Sequence, residues 1–156
     1  MKRPILKLIL WLLPRALNVL TRFDASVAAE LAQLDDGACV RVRAGMAKDS
    51  PQLTFVHSGH RLRSDTRSRQ ADIEITFKSE SGAFRVFTGC ESMGRAYCGH
   101  RFVLKGNINE TMCLLRAIET AEGYLFPRLW NRRILKRRVK KQVPAPLVYA
   151  LALCGR

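Results

Sequence analysis

Acidic side chains are scarce in this chain: 13 Asp and Glu stand against 27 Lys and Arg, a net charge of +14. The positive field that results favours anionic partners, of which phospholipid and nucleic acid are the two broad classes. Paired cysteines are missing too. The five thiols, Cys39, Cys90, Cys98, Cys113 and Cys154, include no Cys-x-x-Cys pair. Cys98 with His100 is the one close Cys/His couple, so a zinc site would have to draw on distant segments, and no metal is expected. An odd, scattered set of thiols in a chain long enough to fold on an apolar core points to a reducing, cytoplasmic setting rather than a disulfide framework.

Catalytic signatures are equally absent. There is no Gly-x-Ser-x-Gly elbow, no phosphate loop, no dinucleotide fingerprint and no His-Glu-x-x-His helix, so the enzyme classes built on them are set aside. His57, His60 and His100, with Cys90 or Cys98, are the remaining nucleophile candidates, but inert cysteines and solvated histidines are the commoner arrangement. No catalytic residue and no cofactor is expected. Long apolar runs are lacking as well. Lys7 interrupts the first, and Pro14-Arg15 closes it without a small-residue cleavage site, which argues against a signal peptide. Neither that run nor Val143 to Cys154 reaches the roughly 20 residues that span hydrocarbon as a helix, so no crossing segment is expected.

What is present is a chain of 156 residues, 47% hydrophobic and 26% charged, a balance that suits one globular domain with ornaments. From Ile5 the apolar positions Leu8, Ile9, Leu12, Leu13, Ala16, Leu17 and Leu20 trace one helical face, widened by Leu6, Leu10 and Trp11. Pro14 predicts a kink or a break into two helices. Asp24 or Ser26 caps a second helix to about Leu34, and Asp35-Asp36-Gly37 turns the chain. The period then changes to two. Ala38 to Arg43, Gln52 to His57 and Arg61 to Arg63 read as antiparallel neighbours, and Ala71 to Phe77 is the clearest strand, with Ile73, Ile75 and Phe77 on one side. Ser79 caps a short helix with Phe84, Val86 and Phe87, and Ser92 to Tyr97 makes another turn. Arg101 to Lys105 is a fifth strand, and Asn107 or Asn109 caps a helix that Gly123 is expected to stop.

The stretches ADIEITFKSESGAFRVFTG and RFVLKGNINETMCLL, in this order of elements, resemble the sterol carrier protein type two family from about Asp24 to Glu122, close to two thirds of the chain. The resemblance implies an α+β fold: a five-stranded, mainly antiparallel sheet covered by helices around an apolar tunnel that takes sterols, acyl chains or isoprenoid-type molecules without catalysis. The candidate lining residues are Ile73, Ile75, Phe77, Phe102 and Leu104 on the matching strands and Phe84, Phe87, Met112 and Leu115 on the matching helices. Val40, Val42, Leu53 and Phe55 join them from the earlier strands. The turn Gly106-Asn107 departs from the Gly-Asp often found there, keeping the cap without its charge.

The ends lie outside that resemblance, and the chain divides into an amphipathic segment, residues 1–23, the lipid-binding domain, 24–122, and a basic, apolar extension, 123–156. Lys2, Arg3, Lys7, Trp11 and Arg15 in the first, and Trp130, Arg132, Arg133, Lys136, Arg137, Arg138, Lys140 and Lys141 in the last, are candidates for contact with an anionic membrane surface. The apolar neighbours Leu6, Leu10 and Leu13 at one end, and Leu129, Ile134, Leu135, Leu147, Val148, Tyr149, Leu151 and Leu153 at the other, favour a bilayer over a duplex. The function expected is a membrane-peripheral lipid carrier or accessory factor, with isoprenoid quinone biosynthesis as one setting and a biosynthetic or transfer protein as a partner. The alternatives are a basic nucleic-acid-binding protein and a scaffold that holds a partner through its end helices.

Overall fold

The computed structural model describes residues 2–59, 61–65, 70–125 and 144–154. The elements run α1 (Lys2–Phe23), α2 (Ala25–Leu31), β1 (Cys39–Arg43), β2 (Gln52–Ser58), β3 (Arg61–Ser64), β4 (Ile73–Phe77), α3 (Glu80–Phe87), α4 (Met93–Cys98), β5 (Phe102–Lys105), α5 (Ile108–Leu125) and α6 (Ala145–Cys154). The expected α+β order is present. The five strands form one sheet in the order β3-β2-β1-β4-β5. Three of its pairings are antiparallel, and β1 with β4 is parallel, so the sheet is mixed but mainly antiparallel.

Strand register explains why the alternating pattern was informative. Val40 lies opposite Phe55 and Ile73, Val42 opposite Leu53 and Ile75, Ile75 opposite Leu104, and Phe77 opposite Phe102. Because side chains alternate across a strand, all of these share one face. Arg41, Arg43, Thr54, Val56, Glu74, Thr76, Val103 and Lys105 occupy the other.

Helix α1 covers the apolar face with Leu6, Leu10, Leu13, Leu17 and Leu20, all buried in the same core cluster as the sheet residues. This corrects the stripe read from sequence. Ile5 and Leu8 are exposed, Leu6 and Leu10 face inward, and the buried line follows the i, i+3, i+4 spacing that starts at Leu6. Pro14 breaks nothing: it sits buried inside one continuous helix of 22 residues. That continuity also corrects the expectation about length, since α1 is long and apolar enough to cross a membrane by size and composition. Its sheet-facing side nevertheless belongs to the protein's own interior.

Local caps fix the joints. Asp24 is the N-cap of α2, accepting from the Ser26 backbone N–H, and its buried carboxylate also accepts from the Tyr124 hydroxyl at 2.7 Å. Tyr124 lies in α5, which runs to Leu125, so Gly123 lies inside the helix and does not end it. Ser79 caps α3, Ser92 caps α4 and Asn107, not Asn109, caps α5.

The two stretches that carry the family resemblance pair along β4 and β5 and come closest at the end of that ladder. Asp72 accepts from the Cys39 N–H through its carboxylate at 2.8 Å and donates its own N–H to the Cys39 carbonyl, tying β4 to the start of β1. Gly106, at φ +116°, passes so close that a β-carbon there would collide with the Asp72 carbonyl oxygen. Only glycine suits both the conformation and the approach. Gly106→Ala is therefore expected to cost about 2–3 kcal/mol, while Gly94→Ala, in α4 with open space around it, is expected to be neutral or stabilising by up to about 1 kcal/mol. Urea unfolding of the two variants beside the parent measures both.

Candidate functional site

The sequence candidates for lipid contact are brought together. Val40, Val42, Phe55, Ile73, Ile75, Phe77, Phe87, Phe102 and Leu115 are buried in one cluster, and Leu53, Phe84, Leu104 and Met112 pack against it, half-buried. Phe77 is its centre, with ring centroids 5.3 Å from Phe87 and 5.1 Å from Phe102. The sheet supplies the floor of this cluster and α1 its roof, with α2, α5 and α6 beside α1. Burying a methylene is worth about 0.8 kcal/mol, so such a floor suits the chain of a lipid through shape and dryness more than through polar contacts.

The candidates for membrane contact are not all placed alike. Lys2 donates to the Ser81 hydroxyl at 3.1 Å, and Arg3 pairs with Asp49 at 2.7 Å and Glu80 at 2.9 Å, so both are engaged by the protein. Lys7 is exposed. Trp11 is 46% exposed, with the Arg15 guanidinium 3.8 Å from its ring centroid, a cation–π contact at the surface. Leu6, Leu10 and Leu13 are spent on the core, and the large apolar side chains that α1 offers outward are Ile5, Leu8, Trp11 and Phe23. Trp130, Arg132, Arg133, Lys136, Arg137, Arg138, Lys140 and Lys141, with Leu129, Ile134 and Leu135, lie outside the described residues. On α6, Val148 is buried and Tyr149 and Leu153 are exposed.

Two hollows border this body. One, of about 330 Å³, is lined by Asp35, Asp36, Asp72, Asn107 and Glu110 with Gly37, Ala38 and Ile73. Its polar groups serve the fold: Asp36 accepts from the Gly59 N–H, Asp72 from the Cys39 N–H, and Glu110 from the Asn107 amide. The other, of about 370 Å³, is lined by Arg15, Asn18, Val19, Arg22, Phe23, Arg61, Leu62, Arg63 and Leu151. Sequence reasoning missed this second hollow because its walls come from α1, the edge strand β3 and α6. The alternation Arg61-Leu62-Arg63, which turns two guanidinia away from a buried leucine, was the one local sign of it.

Of the nucleophile candidates, His57 is buried, with Nδ1 3.2 Å from the Asp35 carbonyl oxygen. Cys90, Cys98 and His100 are exposed. No hydrogen bond joins either cysteine to His100 among the described residues.

Comparison with known proteins adds little beyond the fold. No family model matches the sequence, and no curated protein matches it. Among solved structures the chain is similar to one described as "UbiJ-SCP2 Ubiquinone synthesis protein", at 15% identity and a TM-score of 0.47, over 66% of this chain and 89% of that one.

Two buried carboxylates in the helical layer make its stability depend on pH in opposite senses. Burial works against a charged Asp24, but hydrogen bonds from Ser26, Tyr124 and the Val27 N–H outweigh it and hold the pKa below the ordinary value. Its stabilising contribution is present above the unfolded carboxylate pKa and is lost as pH falls through the lower folded one. Glu122 is the reverse: burial, then repulsion from Glu119, pushes its pKa well up, and its Oε1 has no hydrogen-bond partner. Folding therefore becomes less favourable as pH rises above the unfolded glutamate value. Tyr124→Phe is expected to cost about 1.5–3 kcal/mol at neutral pH, a deficit that shrinks in acid. Glu122→Gln is expected to stabilise at neutral pH, a gain that disappears below about pH 4. Denaturant melts across pH distinguish the two slopes.

Proposed function

We propose that the chain is a non-catalytic, membrane-peripheral protein that binds a hydrophobic lipid of the sterol, acyl or isoprenoid class and acts as a carrier or accessory factor at the cytoplasmic side of a membrane. An accessory role in isoprenoid quinone biosynthesis, beside a biosynthetic or transfer protein, is one form of this reading.

The observation that carries it is the construction of the roof. Helix α1 covers the β2–β3 side of the sheet's apolar face, and its opposite side again presents apolar and basic residues, Leu8, Trp11, Lys7 and Arg15. A helix with one face on an apolar floor and the other suited to an interface links a bilayer to the protein interior. Its polar ties are Lys2 to Ser81, Arg3 to Asp49 and Glu80, and Asn18 to the Leu62 backbone. Arg3 with Asp49 is a well-exposed pair, and such pairs are worth about 0–1 kcal/mol. A guest chain would lie between the sheet floor and this roof, beside the apolar cluster that holds Phe77, Phe87, Ile75, Leu13 and Leu17.

Native mass spectrometry of the purified full chain, before and after solvent extraction, tests this. The expected result is a species with one bound lipid that extraction removes, whose identity is read from the extract. Repeated recovery of the bare chain alone, including after incubation with mixed membrane lipids, would contradict the reading.

A further inference from the structure

We propose that the groove between α1, β3 and α6 is a head-group site that holds the phosphate of an anionic phospholipid while that lipid remains in a bilayer. This deepens the membrane-peripheral reading and rests on its bilayer contact, but not on a lipid guest inside the domain.

Among the described residues, the groove is lined by Arg15, Arg22, Arg61 and Arg63 and by no acidic residue. Five arginines outside the groove, Arg3, Arg43, Arg85, Arg101 and Arg116, each have a carboxylate within 4 Å. Among the described residues, none of the groove arginines forms an ion pair, and Arg15 has only the Trp11 ring. Like charges brought into one hollow repel, so the arrangement lacks the counter-charge that an anion would bring. Guanidinium forks bind phosphate oxygens in pairs, a geometry that ammonium groups do not offer.

The groove is also built rather than incidental. Asn18 donates its amide to the Leu62 carbonyl and accepts the Leu62 N–H, both at 2.7 Å. One side chain thereby occupies the free hydrogen-bonding edge of β3 and fixes α1 against it. That bond sets the spacing between Arg15 and Arg22 on the helix and Arg61 and Arg63 on the strand.

The apolar surroundings favour a bilayer as the source of the phosphate. Val19, Phe23, Leu62 and Leu151 share the lining with the arginines. Leu8, Trp11 and Arg15 follow one another at i, i+3 and i+7 along the same side of α1, and Leu8 and Trp11 are both exposed. On α6, Tyr149 and Leu153 are exposed one turn apart, on the side of the helix away from Leu151. A soluble phosphate has no use for this greasy border, whereas a lipid head group arrives with its acyl region beside it.

The test is flotation of the full chain with vesicles of phosphatidylcholine alone and of phosphatidylcholine with phosphatidylglycerol, in parent, Arg61→Gln/Arg63→Gln and Lys78→Gln/Lys105→Gln. The second double variant removes the same charge from exposed positions outside the groove, and thermal melts confirm that each variant folds. Removing two groove charges at about 1 kcal/mol each is expected to weaken binding to anionic vesicles by tenfold or more, with a much smaller change for the lysine pair. Equal losses in the two variants would mean diffuse attraction and overturn the site while leaving the membrane reading intact. Failure of the parent to float on anionic vesicles would overturn both. Retention on RNA in place of vesicles would also overturn the bilayer head group as occupant.

Discussion

The structure depends on the contact between the leucine line of α1 and the apolar face of the sheet. Leu6, Leu10, Leu13, Leu17 and Leu20 are buried there with Val40, Val42, Ile73, Ile75 and Phe77, and each such leucine, once buried, is worth a few kcal/mol to the fold. A five-stranded sheet with one greasy face cannot persist uncovered in water. Helices α2 and α5 alone leave the β2–β3 side to α1, which packs against both of those strands. The first segment is thereby part of the domain's interior, and whatever it does at a membrane it does with its outer side.

That division of labour orders the charges. At its N-terminus α1 is held by Arg3 to Asp49 and Glu80, and further along by Asn18 to the edge of β3. Its outer stripe is left with Lys7, Trp11, Arg15 and Arg22. The few acids of the chain are drawn into caps and pairs: Asp24 and Asp72 satisfy backbone donors, and Glu30, Glu74 and Glu91 answer arginines. Among the described residues, part of the excess positive charge is left without carboxylate partners along the groove beside β3.

Much of the fold was legible in the sequence because it was written in short-range chemistry. Alternation placed Ile73, Ile75 and Phe77 on the right face, and Ser79, Ser92 and Asn107 announced their helices by the caps they form. Gly106 signalled a conformation that only glycine adopts. The errors arose where tertiary contacts override local rules. Pro14 is accommodated because burial on both sides of it holds the helix together, and Gly123 stays helical inside α5, where Tyr124 bonds to Asp24. The inward stripe of α1 could not be chosen from periodicity, since apolar residues nearly encircle that helix and only the sheet decides which are covered. The arginine groove was illegible for a different reason: residues 15, 22, 61, 63 and 151 become neighbours only once the chain is folded.

Native-state hydrogen exchange of the α1 amides addresses the central claim directly. If α1 is an integral roof, the amides around Leu13 and Leu17 are expected to exchange as slowly as those of β1 and β4, and to open with them in the same cooperative step. Exchange of α1 at the rate of an exposed helix, with the sheet still protected, would show that the leucine line is not what closes the domain and would contradict the account.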